Sequence, residues 1–387
     1  MRTGVGAVGV AVLAVAAPAC TSDSNEAGPV STVATPQPII RTSCVTAVPA
    51  AWQKVIDAAA VATGGVSNAP GAVGRRGEMT VARDNGDSRD LLLIGADRAV
   101  STIYSVPEPR QNRVRAAAMD DRWVVVGVER APRGANGVIP TLVRIDVLDR
   151  QGGPPRTVVQ ADEKDFAAGG QTIDSFALFG GKVYWITRDT YSGDTGTVRS
   201  YDLNTGVVTD VASGPMRNVR STAAGLSWEV GWDENTGTRI ELKIPDALPP
   251  PVAGAVGTGR DQLTLTTDGN AYAWFTATDR GESELSYWSP KSGHVRIIGH
   301  MPPPWKFAPV PLYVVGPYAV IGEGRRDDRN DTFSTVVDTR TGALTYLRQS
   351  VGGANGGTIG VGFGGTLKQL PSVAGVARVD ALPPLSC

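Results

Sequence analysis

The feature that most constrains this chain is a repeated pattern of short apolar strands. The segment Gly180–Val211 contains three predicted strands, separated by a polar loop and by the tight turn Asn204-Thr205-Gly206. β-branched and aromatic runs between Gly, Asn and Asp clusters are strand and hairpin signals. A single three-stranded meander cannot bury both of its faces. It therefore needs neighbouring sheets of its own kind.

Similar strand centres recur along the chain. Five of the six intervals between them are 45 or 46 residues, and the remaining interval of 59 residues contains an inserted loop, Asp149–Asp174. A period in the forties with four short strands per unit is typical of β-propeller blades. The centres are Val81, Val126, Trp185, Val230, Phe275, Ile321 and Leu367. We therefore predict an all-β fold, a seven-bladed β-propeller, with six or eight blades as the alternatives.

The first 43 residues predict a targeting segment and a tether. Residues 1–19 contain one early charge, Arg2, and a small-residue apolar run that is too short to span a membrane, which is typical of a secretory signal peptide. The segment ends in Ala17-Pro18-Ala19-Cys20, which is similar to a bacterial lipobox and makes Cys20 the expected lipidation site. An ordinary signal-peptidase site at Ala17-x-Ala19 is the alternative. Residues 20–43 are rich in Ser, Thr and Pro and predict a flexible tether.

The predicted propeller domain covers residues 44–387. If Cys20 carries lipid, Cys44 and Cys387 remain as one pair, and their disulfide would be stable in an oxidising compartment. The last strand unit lacks an outer strand, which Pro38–Val48 could supply, so that strands from both ends of the chain close the ring. One short amphipathic helix is expected over Pro49–Asp57, and no other segment predicts a helix.

A turn motif accompanies the repeats. Tyr201-Asp202-Leu203-Asn204-Thr205-Gly206 and Val337-Asp338-Thr339-Arg340-Thr341-Gly342 both follow a strand and both end on glycine. With this motif and its N-terminal segment, the chain resembles secreted bacterial β-propellers of the WD40-like and quinoprotein-like kind, often found as actinobacterial lipoproteins. The resemblance covers residues from about 45 onward. It implies a lipoprotein on the outer face of the membrane, while the turn motif specifies a blade and no activity.

Composition excludes several functional classes. The net charge is −1, so nothing attracts the chain to nucleic acid. The chain has two histidines, no Gly-x-Ser-x-Gly elbow and no His/Cys set at metal spacing. We therefore predict no catalytic residue, no metal site and no required cofactor. Calcium is an alternative at two acidic runs, Asp84–Asp90 and Asp327–Asp331. We expect a monomer whose partner is a protein or glycan of the cell envelope.

The predicted binding surface consists of the loops that join the second and third strands of each blade. In a propeller these loops share one face with the blade-to-blade connections, around the central channel. Ordinary solvent-exposed loop tips are the alternative. The candidate ligand-binding residues are Arg83, Arg130, Arg188, Asp189, Trp232, Asp233, Asp279, Arg280, Arg325 and Arg326.

Three functions fit these features. The first is a binding or scaffold module anchored to the outer face of the cell membrane through Cys20, which the missing catalytic set favours. The second is a propeller hydrolase or lactonase with a carboxylate or calcium centre in the channel. The third is a sensor that presents a ligand site to a membrane partner. The channel mouth separates the first two, because a carboxylate cluster favours the enzyme and a plain polar rim favours the binding module.

Overall fold

The computed structural model describes part of the unit Gln37–Cys387. The described residues are 39–41, 44–130, 141–161, 172–188, 195–223, 225–230, 241–243, 248–257, 262–277, 283–299, 311–325, 332–363 and 372–386. They contain twenty-nine strands and two helices. Among them, no helix has the length and apolar character needed to cross a membrane.

Four short elements precede the repeats. They are β1 (Ile39–Arg41), β2 (Val45–Thr46), α1 (Ala50–Ala59) and β3 (Val61–Ala62). The expected helix is thus present as α1. It begins after Pro49, and its buried face carries Trp52 and Ile56, both fully shielded from solvent.

The first half of the repeats forms four antiparallel meanders. Blade 1 comprises β4 (Ser67–Val73), β5 (Met79–Asp84), β6 (Arg89–Ile94) and β7 (Val100–Ser105). Blade 2 comprises β8 (Asn112–Met119), β9 (Trp123–Arg130), β10 (Thr141–Asp149) and β11 (Arg156–Gln160). Blade 3 comprises β12 (Thr172–Phe179), β13 (Lys182–Arg188), β14 (Gly196–Asp202) and β15 (Val208–Gly214). The described strands of blade 4 are β16 (Met216–Thr222), β17 (Gly225–Val230) and β18 (Glu241–Lys243).

The second half continues after helix α2 (Pro250–Gly257). Blade 5 comprises β19 (Gln262–Thr267), β20 (Tyr272–Ala277), β21 (Ser283–Ser289) and β22 (Gly293–Gly299). Blade 6 comprises β23 (Leu312–Val315), β24 (Tyr318–Arg325), β25 (Thr332–Asp338) and β26 (Leu344–Leu347). Blade 7 comprises β27 (Ser350–Asn355), β28 (Thr358–Phe363), β29 (Val373–Arg378) and β3.

These sheets make the chain an all-β propeller, as predicted. The first strands of neighbouring blades contact each other at five junctions, β18 contacts β19 between blades 4 and 5, and β27 of blade 7 contacts β4 of blade 1. The blade count therefore agrees with the period of the sequence. In blade 7 the predicted strand centre, Leu367, lies outside the described residues, and the second strand is Thr358–Phe363.

The closing strand differs from the prediction. β3 pairs with β29 in the register Val61↔Ala374, whereas Pro38–Val48 does not complete blade 7. Instead β1 adds in parallel to β22, and β2 adds in parallel to β26. The reason is α1, which packs its buried face between blades 6 and 7 and leaves the strand that follows it beside β29.

The expectation of a single helix was wrong, because α2 is also present. Its N–H groups at Val252 and Ala253 donate to the carbonyl oxygen of Pro249, and the Val252 side chain is fully buried. Val252 packs against Leu265 and Trp274 of blade 5. The segment is rich in Pro, Gly and Ala, and therefore has no amphipathic periodicity to reveal it in the sequence.

The turn motif found in the sequence is stabilised in the same way in blade 3 and in blade 6. The Asp202 carboxylate accepts the N–H of Thr205 at 3.0 Å, and the Asp338 carboxylate accepts the N–H two residues later at 2.9 Å. Gly206 and Gly342 end these turns with φ 74° each. An acidic side chain that mimics a backbone acceptor, followed by a left-handed glycine, specifies the hairpin.

Both ends of the domain lie on the hairpin formed by β25 and β26. The N–H of Leu385 donates to the Asp338 carboxylate at 2.8 Å, and the N–H of Leu344 donates to the carbonyl oxygen of Cys44 at 3.2 Å. Cys44 is disulfide-bonded. Cys20 and Cys387 lie outside the described residues.

The contact between blade 7 and blade 1 can be tested with Gly352→Ala. A Cβ at Gly352 in β27 would lie 1.9 Å from the Pro70 carbonyl oxygen in β4. Overpacking of this kind costs about 1–3 kcal/mol, so urea denaturation should show a free energy of unfolding that is lower by about 2 kcal/mol. The control is Gly254→Ala in α2, where the new Cβ would meet no atom within 4 Å. If both variants unfold at the urea concentration of the wild type, blades 7 and 1 do not abut at Gly352.

Candidate active site at the channel mouth

Three of the ten candidate residues, Arg83, Arg130 and Arg188, have side chains that the structure describes. Arg188 ends β13 and forms an ion pair with Asp174, with 3.0 Å between the Arg188 nitrogen and the Asp174 oxygen. Arg130 ends β9 and lies 3.8 Å from Glu108. Arg325 ends β24, but its side chain is outside the described part of the structure. The remaining candidates outside it are Asp189, Trp232, Asp233, Asp279, Arg280 and Arg326.

The first acidic run does not form a cation site. Asp90 accepts hydrogen bonds from Arg83 at 2.8 Å and from Ser105 at 2.9 Å, while Asp84 accepts one from Arg89 at 3.0 Å. Arginine, serine and backbone donors therefore occupy the carboxylate oxygens that calcium would need. Across the described residues no group of three His, Cys, Asp or Glu side chains could hold a metal ion. The second run, Asp327–Asp331, lies outside those residues.

The structure brings other polar side chains together where blades 3 and 4 meet. The first strand of each blade contains a β-bulge near its start. The pairing of β12 with β13 skips Asp174 and Ser175, and the pairing of β16 with β17 skips Asn218 and Val219. Bulges redirect side chains and are over-represented next to active sites. Asn218 adopts φ 52°, a left-handed conformation that Asn tolerates better than most residues.

The two bulges are joined by hydrogen bonds across the blade junction. The N–H of Asn218 donates to Asp174 at 3.2 Å, and the N–H of Val219 donates to the Ser175 hydroxyl at 2.9 Å. Asp174 also holds Arg188. Because of the bulge, these two N–H groups of β16 have no hydrogen-bond partner in β17. Side chains of blade 3 accept their hydrogen bonds instead.

Glu229 completes this cluster from the end of β17. It is 6% exposed, and its carboxylate accepts a hydrogen bond from the Asn218 amide at 2.6 Å. Burial raises the pKa of Glu229 and outweighs the attraction of the nearby Arg220 cation, while the charge of Asp174 raises it further. Asn218 therefore links two carboxylates, Asp174 through its backbone N–H and Glu229 through its side chain.

Arg220 places the cluster at the central channel. It lies in β16, and burial lowers its pKa although Glu229 and Tyr313 both favour its charged form. Tyr313 belongs to β23 of blade 6, and its hydroxyl donates to the carbonyl oxygen of Gly352 in blade 7 at 2.8 Å. Arg220 of blade 4, Tyr313 of blade 6 and a backbone carbonyl of blade 7 thus lie near one another, as the first strands of propeller blades do around the central channel.

Blade 2 provides an equivalent position with different chemistry. Glu129 in β9 is opposite Arg113 of β8, as Glu229 in β17 is opposite Arg217 of β16. The buried Glu129 carboxylate forms ion pairs with both Arg113 and Arg115. Glu229 has no carboxylate–guanidinium contact of this kind with a described arginine. The two glutamates thus occupy the same place in the repeat with different neighbours.

Sequence reasoning predicted Arg188 and missed Asp174, Asn218, Glu229 and Arg220. Asp174 falls at the end of the segment that the prediction treated as an insertion, and Asn218 acts through a bulge that has no sequence signature. The available signal was Glu229 itself, an acidic residue inside the apolar strand Gly225–Val230. An acidic residue in a buried strand is uncommon unless it is paired or functional.

No protein-family model matches the chain, and no curated protein matches it. Among solved structures it is similar to an oligogalacturonate lyase in complex with manganese, with 12% identity, a TM-score of 0.48, and coverage of 80% of this chain and 88% of the lyase. It is similar to puromycin hydrolase at 16% identity, a TM-score of 0.46 and 78% coverage, and it spans only 50% of that protein. The β-propeller domain of the Trilobed protease from Pyrococcus furiosus matches at 10% identity, a TM-score of 0.38, and coverage of 65% of this chain and 78% of that domain. These likenesses are distant, and none indicates what this chain binds.

The raised pKa of Glu229 predicts a pH-dependent effect of Glu229→Gln. A folded-state pKa above the unfolded value gives stability that is present at low pH and lost as pH rises through the folded-state pKa. Gln resembles the protonated form, so the variant should be more stable than wild type at pH 8, and the difference should shrink toward pH 4. Urea denaturation at both pH values measures it.

The matched control is Glu129→Gln, which removes an ion-paired carboxylate from the equivalent position in blade 2. We expect it to reduce stability at pH 8. A Glu229→Gln variant that is also less stable than wild type at pH 8 would show that the ionised Glu229 is stabilised, contrary to the prediction.

Proposed function

We propose that this protein is a propeller hydrolase with an acid–base site at the channel mouth. The proposal rests mainly on one observation: the carboxylates of Asp174 and Glu229 both accept a hydrogen bond from Asn218. A binding module needs only a polar rim at this place, whereas an acid–base enzyme needs two carboxyl groups in different environments. Titratable groups whose proton affinity is shifted by burial and by specific neighbours are candidates for catalysis.

The environments of the two carboxyl groups suggest their roles. Glu229 is almost fully buried and burial raises its pKa, which suits the general acid of the pair. Asp174 is 24% exposed, forms an ion pair with Arg188 and accepts a hydrogen bond from the Asn218 N–H, which suits the general base of the pair. Asn218 would hold the two groups at a fixed separation, because it contacts both.

Hydrolysis of an ester or lactone uses these roles in a balanced step. Asp174 takes a proton from water as the water oxygen bonds to the carbonyl carbon, and Glu229 gives its proton to the leaving oxygen as the C–O bond breaks. The proton on Asp174 then returns to Glu229 through water. Each proton transfer of this kind contributes typically 10²–10⁴-fold to a rate.

The residues present do not fit a calcium ion in this site. Arg188 and the Asn218 N–H occupy the Asp174 oxygens, and the Asn218 amide occupies an oxygen of Glu229. A cation here would also lie near Arg188 and Arg220, which are positively charged. We therefore derive the proposed reaction from side-chain acid–base chemistry.

Glu229→Gln tests the catalytic role. Purified protein should hydrolyse at least one member of a panel of p-nitrophenyl esters and aromatic lactones, and Glu229→Gln should lower kcat by about 100-fold or more, because it removes the proton donor. Glu129→Gln should retain the rate within about twofold. Equal kcat values for Glu229→Gln and wild type would refute the assignment. A panel without any turnover would favour the alternative, a binding module that uses the same residues.

We also propose that the protein is a monomer anchored to the outer face of the membrane through lipidated Cys20, with a disulfide between Cys44 and Cys387. Supporting the disulfide, Cys44 and Leu385, which precedes Cys387 by two residues, both contact the hairpin of β25 and β26. A loop of this length gives roughly 5 kcal/mol of chain-entropy stabilisation. A protein or glycan of the envelope would be its partner.

Fractionation and peptide mapping test this placement together. Wild-type protein should partition into detergent phase, and Cys20→Ala should move to the aqueous phase because it lacks the lipid. Non-reducing digestion of the membrane fraction should give one peptide pair that joins Cys44 to Cys387. Aqueous partitioning of the wild type would exclude the anchor, and two alkylatable thiols per chain would exclude the disulfide.

A further inference from the structure

Arg220 is the least explained charge in the described part of the structure. It directly follows the bulge at Asn218 and Val219, and it pairs in register with Ser227 of β17. Its side chain retains some accessible surface, yet protein surrounds it closely enough for burial to lower its pKa. β16 is the first strand of blade 4 and contacts the first strand of blade 3, and first strands surround the central channel of a propeller, so Arg220 lies beside that channel.

Arg220 lacks the partner that other half-buried arginines have. A carboxylate oxygen lies within 3.0 Å of the guanidinium in each of five such arginines. These are Arg83, Arg144, Arg150, Arg188 and Arg296. Among the described residues, none forms an ion pair or a hydrogen bond with Arg220. A charge that is removed from water and left unpaired is costly, and a ligand in the channel would supply the missing partner.

We propose that Arg220 binds the carboxylate group of a monoanionic organic ligand in the channel. This names the substrate class of the site and rests on the proposed function only for the claim that the ligand is converted. A guanidinium presents two parallel donors, and a carboxylate presents two acceptors at matching separation. The geometry therefore favours a planar carboxylate over a neutral group.

The neighbouring charges favour one negative charge over two. Asp174 is near enough to Glu229 to raise the pKa of that carboxyl, and its negative charge repels further anions. A monocarboxylate neutralises Arg220, whereas a phosphate dianion would bring an excess charge beside Asp174. Glu229 accepts a hydrogen bond from Asn218 and lies within electrostatic range of Arg220, so a ligand held by Arg220 would place its neighbouring bonds near the proposed acid.

Fluorine NMR with 4-fluorobenzoate tests the proposal on the full chain. Wild-type protein should broaden the resonance of the probe, and acetate should compete while inorganic phosphate at the same concentration should not. Arg220→Met should weaken binding at least tenfold, because the guanidinium is lost. Arg220→Lys should weaken it less. Unaltered binding by Arg220→Met, or equal competition by phosphate, would overturn the proposal.

Two controls separate this result from its alternatives. Arg122→Met removes an arginine that is 48% exposed and paired with Asp149 outside the channel, and it should leave binding unchanged. Near-ultraviolet circular dichroism checks folding, and if Arg220→Met does not fold, Arg220→Lys against Arg122→Lys decides the question. Glu229→Gln should bind the probe at least as tightly as wild type, because an uncharged amide beside Arg220 cannot repel a carboxylate. Loss of binding in Arg220→Met with unchanged catalysis in Glu229→Gln would retain this inference and reject the proposed acid.

Discussion

The structure depends on covering the two faces of every four-stranded sheet. Each blade packs one face on the preceding blade and the other on the next, and this arrangement is complete only when the last blade meets the first. β3 supplies the fourth strand of blade 7, and β27 lies against β4 so closely that Gly352 has no room for a Cβ. Closing the ring therefore covers the outer faces of blades 1 and 7, and β3 covers the edge of β29 that would otherwise be exposed.

The ends of the domain support that closure. α1 buries Trp52 between blades 6 and 7, where its ring meets Tyr318 edge-on at 4.9 Å between centroids. The Tyr318 hydroxyl donates to the carbonyl oxygen of Leu382 at 2.8 Å, and Asp338 holds the N–H of Leu385. Aromatic packing and hydrogen bonds thus fasten the start and the end of the domain to the same blade, close to Cys44.

The proposed site arises from the same packing of blade on blade. A bulge in the first strand of blade 4 leaves backbone donors unpaired, and Asp174 and Ser175 of blade 3 accept them. The bulge turns Asn218 toward Glu229 and is followed by Arg220 in the channel. The proposed acid–base site and the proposed anion site therefore both lie at the junction of blades 3 and 4, where side chains of separate repeats meet. Neither site lies at the loop tips that the sequence predicted.

The sequence by itself determined the repeat, and hence the blade. Alternating apolar strands with a period of 45 or 46 residues need like neighbours, and the turns at Asp202 and Asp338 form through contacts within a few residues. The helix α1 follows from its apolar face in the same way. Only the tertiary structure decided which segment closes the ring, that α2 exists, and that Asp174, Asn218 and Glu229 meet. Those outcomes depend on contacts between distant segments and on bulges, which leave no periodic trace along the chain.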